Sequence, residues 1–265
     1  MTLQHVDTDY DLGHFIIPHS FLPDLRYLFQ RIGDATVETV AREPPGRVID
    51  VGSGASKELA RLAHLGWEAY AVDPSAHMLR FSKLTTEETN TTVHLVRAIG
   101  ERLPFADASV DVVTCQEALD HFADRFTFMQ EAARIIKPSG RVVISLHNFE
   151  GLATRLGRLL HPVVRAARLH HCADWPCWRI PPDHFFKGDW QVVQELGGAW
   201  LRLERAYGIS LLCQFYGWGH LLNRLPKRVS ERLLRAVDRF AYGRPSWSDV
   251  IVSVWRPVDA GAASS

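Results

Sequence analysis

No run of apolar residues in this 265-residue chain approaches the roughly 18 that a membrane-spanning helix needs. Integral membrane contact is therefore not expected. Met1 to Tyr10 hold two acids and no lysine or arginine, unlike a signal peptide. Cysteine is scarce: four residues with no framework spacing, which speaks for reduced thiols and against a disulfide scaffold. These absences predict a cytoplasmic protein. Internal repeats are also missing, and no nucleic-acid-binding module is recognisable, so nucleic acid is not an expected partner. Oligomeric state is left open.

Net charge is zero, with 30 basic and 30 acidic residues. That balance conceals a split. Residues 1–150 sum to −7 and residues 151–265 to +7. Arginine-rich solvated helices explain the second half in the plainest way. The same charge leaves open a peripheral contact with an anionic membrane surface or an acidic carrier protein.

What is present concentrates in Val48-Ile49-Asp50-Val51-Gly52-Ser53-Gly54-Ala55-Ser56. An apolar run ends in an acid, two glycines follow one residue apart, and a helical pattern begins. This reads as strand, tight loop and helix start. Gly52 and Gly54 allow a sharp bend and close approach of a ligand to the backbone. Dinucleotide-binding folds use the same device. Asp50 separates the two cases, because a carboxylate repels a pyrophosphate at short range and attracts an ammonium group. S-adenosylmethionine carries an ammonium and a sulfonium. Trp67 to Asp73 reads as a second strand ending in an acid, 19 residues past Gly54. Asp73 is placed to accept hydrogen bonds from both ribose hydroxyls of an adenosine.

The chain at this point resembles the class I S-adenosylmethionine-dependent methyltransferases of small-molecule type. Besides residues 48–56, the resemblance rests on Val72-Asp73-Pro74-Ser75-Ala76-His77-Met78-Leu79, Leu103-Pro104-Phe105, Val110-Asp111-Val112-Val113 and Glu131 to Arg141. It covers roughly residues 45–147. The fold it implies is α/β: a doubly wound, Rossmann-like sheet of seven mostly parallel strands, the last antiparallel, with helical cap insertions. Three positions depart from the family pattern. Ser56 stands where a third glycine is usual, and is read as a cap for the following helix. Ile99 replaces an acid that would hold the adenine amino group. Pro138-Ser139-Gly140 replaces Pro-Gly-Gly at an expected turn.

The pattern along the chain divides it into an N-terminal helical lid (1–44) and a cofactor-binding core (45–150). A cap insertion (151–187), a return to the core (188–206) and a second helical insertion (207–246) follow. A final strand (247–257) and a tail (258–265) complete it. Expected elements are a helix from Pro23 to Arg42, strands at 47–51, 68–73, 92–97, 110–115, 140–147 and 199–206, and helices at 56–65, 75–83, 124–137 and 188–197. Strands alternating with helices mean a parallel sheet, with ligands beyond its carboxyl ends. In the cap insertion, Leu152 to Leu169 has helical spacing with Pro162 as an expected break. Aromatic clusters at Trp175-Pro176-Cys177-Trp178 and Phe215-Tyr216-Gly217-Trp218 either pack the insertions onto the sheet or line an apolar pocket.

The expected cofactor is S-adenosyl-L-methionine. Asp50 is assigned to its ammonium end, Gly52 and Gly54 to backbone approach, and Asp73 to the ribose. Met78, Ile99 and Gly100 frame the adenine, and Gln116 and Glu117 edge the pocket. The resemblance places Tyr10 across the cleft. Methyl transfer to a hydroxyl or an ammonium benefits from a base, and neutral histidine serves near pH 7. His147, at the end of a strand, His184, with Asp183 as neighbour, and His121 are the candidates. His170-His171-Cys172 with Cys177 has the wrong spacing for a zinc pair, and no metal site is expected. The resulting expectation is methyl transfer to a small, largely apolar metabolite. Two alternatives stand beside it: a methyltransferase-like binding or assembly subunit, and a NAD-dependent oxidoreductase that Asp50 disfavours.

Overall fold

The computed structural model describes residues 22–166, 180 and 182–258. Among these, seven strands form one sheet in the order β3-β2-β1-β4-β5-β7-β6. The strands are β1 (Arg47–Val51), β2 (Glu68–Val72), β3 (Val93–Val96), β4 (Val110–Gln116), β5 (Ile136–His147), β6 (Leu201–Ile209) and β7 (Val250–Pro257). The first five pair in parallel, and β7 runs antiparallel to both β5 and β6. This is the expected doubly wound fold.

The alternation of side chains along β1 shows why the sheet is buried on both sides. Val48 joins a core with Leu28, Ile32, Leu59 and Leu62. Ile49 and Val51 point the other way, into a core with Phe128, Met129, Val193 and Leu196. Helices α1 (Pro23–Val40) and α2 (Lys57–His64) cover the first face, and α4 (Arg125–Ile135) and α6 (Trp190–Glu195) the second. Between them in the chain, α3 is Ala76–Thr89 and α5 is Leu152–Ala166; α7 (Trp218–Arg224) and α8 (Lys227–Tyr242) lie between β6 and β7. None of the described helices is long and apolar enough to cross a membrane.

Several boundaries differ from the sequence reading for local reasons. The first helix stops at Val40, ahead of Pro44-Pro45. Ser75 caps α3 by accepting from the Met78 amide, and the helix runs on to Thr89 rather than ending at 83. Ser56 does not cap α2. It adopts a left-handed φ of 56°, and its hydroxyl lies 2.7 Å from that of Ser82. That conformation explains why glycine suits the position. Pro138-Ser139-Gly140 turns within the span of β5, which starts at Ile136 and not at 140: Ile136 pairs with Val110 and Arg141 with Val112, so four residues of β5 loop out opposite one of β4. Pro162 does not break α5.

Asp124 caps α4, its carboxylate accepting from the amides of Phe126 and Thr127 at 2.9 and 3.2 Å. Asp124→Ala is expected to lower unfolding free energy by about 1 kcal/mol in urea titrations. An unchanged midpoint would mean the cap contributes nothing.

Candidate active site

The carboxyl ends of β1, β2, β4 and β5 bring Asp50, Asp73, Gln116 and His147 to one edge of the sheet. Beyond that edge lies a cavity of about 410 Å³. Its floor is the loop from β1 to α2. Gly52 and Gly54 both have positive φ, 72° and 51°. The amides of Gly52 and Ser53 donate to the Val72 carbonyl, which ties the loop to the end of β2. A Cβ on Gly52 would lie 2.5 Å from the Ala118 Cβ, whereas one on Gly54 would meet nothing within 4 Å. Gly52 is thus needed for packing, and Gly54 opens towards a ligand.

Asp73 holds the loop in place. Its Oδ2 accepts from the Gly54 amide at 3.1 Å and its Oδ1 from Ser75 at 2.8 Å. Each oxygen retains a lone pair for a further donor. Burial pushes its carboxyl up from the ordinary range. Asp50 is buried and accepts from the Thr114 hydroxyl at 2.6 Å. Burial raises its carboxyl to about 7, with Glu58 adding like-charge repulsion. Glu117, with φ of 49°, is raised by burial to about 8.

The lining is strongly acidic. Asp50, Glu58, Asp73, Glu101, Glu117 and Asp183 contribute carboxyls, against one lysine, Lys57. Such a surround disfavours a pyrophosphate and suits a cationic ligand. Met78, Ile99, Gly100 and Gln116 line the same cavity. A Cβ on Gly100 would lie 2.5 Å from the Phe122 ring, so the residue packs directly beneath that aromatic wall. Phe29 and Ile32 of α1 and Phe185 complete the apolar side.

The histidines gather where the return segment meets the 3₁₀ turn Leu119–His121. The Phe185 amide donates to the Asp120 carbonyl at 2.8 Å. That bond sets His184 against Asp120, with Nδ1 3.0 Å from Oδ2. Asp183 acts on His184 through its charge, as a neighbour would, and it also faces His121, 3.4 Å from its Nδ1. The rings of His121 and His184 lie edge to face at 4.7 Å. His121 lines the main cavity. His147 lines a smaller adjoining cavity, which shares Phe29, Ile32 and Glu117 with the first. Burial lowers His147 to about 4 and also lowers His184, so both are neutral at pH 7.

Tyr10, Trp175, Trp178 and the His170 to Cys177 segment lie outside the described residues. The Phe215 to Trp218 cluster does not line the main cavity, whose apolar wall comes from Phe29, Ile32, Phe122 and Phe185. Asp120, Glu58 and the α1 contacts escaped the sequence reading. Asp120 adjoins a candidate histidine, which is a signal. Its approach to His184 spans 64 positions in the chain and only folding reveals it.

Asp73→Ala is expected to weaken S-adenosylhomocysteine binding by about 1–3 kcal/mol, the cost of unmade hydrogen bonds. Calorimetry giving an unchanged Kd would remove Asp73 from the ribose assignment.

Residues 49–144 match the family model described as "Methyltransferase domain". A ubiquinone biosynthesis O-methyltransferase of Cupriavidus pinatubonensis is 33% identical over 103 residues, 38% of this chain and 41% of that protein. The chain spans less than half the length of the curated relatives it matches. The crystal structure of the PH0226 protein from Pyrococcus horikoshii aligns over 94% of this chain and 100% of that one, with TM-score 0.60 and 15% identity. A SAM-dependent methyltransferase from Aquifex aeolicus aligns over 89% and 93%, with TM-score 0.54 and 16% identity. Over residues 49–144 the chain is thus similar to methyltransferase domains, and its fold is the one that solved S-adenosylmethionine-dependent methyltransferases share.

Proposed function

We propose that the protein transfers a methyl group from S-adenosylmethionine to an oxygen of a small, largely apolar metabolite. The observation that carries this reading is the acidic surround of the glycine loop, six carboxyls against one lysine. It fits a ligand bearing an ammonium and a sulfonium. Asp50 meets the ammonium end, the loop of Gly52 and Gly54 allows backbone approach, and Asp73 takes the ribose hydroxyls. Met78, Ile99 and Gly100 receive the adenine. The cofactor supplies a methyl group on positively charged sulfur, which is already activated for displacement.

The protein's remaining work is to position the acceptor, exclude water and take up a proton. Phe29, Ile32, Phe122 and Phe185 form an apolar wall suited to a substantially apolar acceptor. His121, His184 and His147 cluster on the Asp120 side. Neutral His147 and His184 can accept hydrogen bonds from a hydroxyl. The oxygen acceptor is supported by the similarity to the Cupriavidus relative, which is named an O-methyltransferase.

The test pairs calorimetry with transfer of a labelled methyl group into extracted metabolites. Binding of S-adenosylhomocysteine with label appearing in a small, organic-soluble product supports the reading. Binding without any labelled product points to a binding or assembly subunit instead. Absence of binding at millimolar ligand overturns the cofactor assignment.

A further inference from the structure

We propose that Asp120, His121 and His184 form a binding site for a divalent transition-metal ion beside the methyl-donor cavity. Each offers one ligand atom, and the three atoms all lie within 4.8 Å of one another. His184 Nδ1 is 3.0 Å from Asp120 Oδ2, and His121 Nε2 is 3.9 Å from Asp120 Oδ1. Two ligands each about 2.0–2.1 Å from a shared tetrahedral ion sit about 3.3 Å apart, between those two values.

Asp120 is the strongest independent sign. Its side chain is 4% exposed, and its Oδ1 has no hydrogen-bond partner among the described residues. A buried carboxylate oxygen left unbonded is costly, and a cation relieves that cost. His184 Nδ1 is likewise buried and without a well-aligned partner, despite its closeness to Oδ2. Ion coordination accounts for close approach without hydrogen-bond alignment.

The outer contacts fit as well. Asp183 lies 3.4 Å from His121 Nδ1, so it can hold that nitrogen's proton and turn Nε2 towards the site. Glu117 lines the same cavity, and its buried Oε1 also lacks a partner among the described residues. Two imidazoles with one carboxylate favour zinc, manganese, iron or cobalt over magnesium or calcium, which prefer all-oxygen sets. Three protein ligands leave a coordination position open towards the cavity that His121 lines. An oxygen of the acceptor entering that position would have its pKa lowered. The acceptor class is then a molecule with a metal-binding hydroxyl, phenol or enol. That last step rests on the methyl-transfer reading; the ion site does not.

The experiment uses the full chain, free of any affinity tag, stripped with a chelator and titrated with cobalt and zinc ions. The expected result is one ion per chain and a visible cobalt absorption band. His121→Gln, His184→Gln and Asp120→Asn each lose ion affinity at least tenfold, and Asp183→Asn loses about tenfold. His94→Gln, at the far β3 edge, keeps it. S-adenosylhomocysteine binding is measured on every variant, to show that the fold and the donor site are intact. If Asp120→Asn fails to fold, the two histidine variants carry the test. No stoichiometric ion, or full affinity in both histidine variants, overturns the proposal. That outcome leaves S-adenosylhomocysteine binding and label transfer to be judged separately.

Discussion

Gly52→Ala is expected to cost about 2–5 kcal/mol, read jointly in urea unfolding and S-adenosylhomocysteine calorimetry. Two effects add. A φ of 72° is left-handed, and a Cβ there costs about 1–2 kcal/mol. The new methyl would sit 2.5 Å from the Ala118 Cβ, a group that cannot swing aside. Overpacking of that kind costs about 1–3 kcal/mol. Relief would require the loop to move away from β4, which carries its amides out of reach of a ligand. Gly54→Ala provides the contrast. Its φ of 51° brings strain, but its Cβ meets no atom within 4 Å. The expected loss is about 1–2 kcal/mol of backbone strain. Equal stability and equal affinity in wild type and Gly52→Ala would show that the loop is not held as described.

His184→Gln is expected to lower kcat about 10²–10⁴-fold while S-adenosylhomocysteine affinity stays within a few-fold. The side chain is 12% exposed and sits against Asp120, away from the glycine loop. Burial lowers the pKa of His184, which keeps the ring neutral at pH 7. A neutral imidazole can accept a proton or bind an ion; a glutamine amide does neither well. The expected effect is therefore on turnover and not on donor binding. A drop in affinity with kcat intact would place His184 in the donor site and empty the acceptor-side assignment.

The donor half of the site is legible in the chain because it is local. Asp50, Gly52 and Gly54 lie within five residues, and Asp73 follows after one helix and one strand. Periodicity places each at a strand end, and the parallel topology gathers those ends. The acceptor half is not local. His184 meets Asp120 only because the Phe185 amide bonds to the Asp120 carbonyl, a contact between segments of no shared pattern. The contact of Asp183 with His121 is equally remote along the chain, while its nearness to His184 is a matter of adjacency. Element ends failed where tertiary pairing overrode turn chemistry. Pro138-Ser139-Gly140 turns as read, yet Ile136 ahead of it already pairs with Val110, so the strand begins before the turn and not after it. Ser56 reads as a cap, yet Ser82 takes its hydroxyl.

The central claim is electrostatic: the carboxyl of Asp50 draws a cationic nucleoside into the glycine loop. Burial holds that carboxyl near 7 without ligand. An ammonium partner favours the ionised form, so the bound pKa falls and binding releases a proton below pH 7. Affinity should then rise with pH up to about 7 and level off, falling below it by at most about tenfold per pH unit. Asp50→Asn removes the titrating group, while Glu117, raised to about 8, remains. The decisive measurement is the calorimetric Kd of S-adenosylhomocysteine for wild type and Asp50→Asn between about pH 5.5 and 7.5, below the ordinary pKa of the ligand's α-amino group. The predicted result is a wild-type Kd that tightens across this range and an Asp50→Asn Kd that is weaker and much flatter. The same affinity and the same slope in both proteins would contradict it.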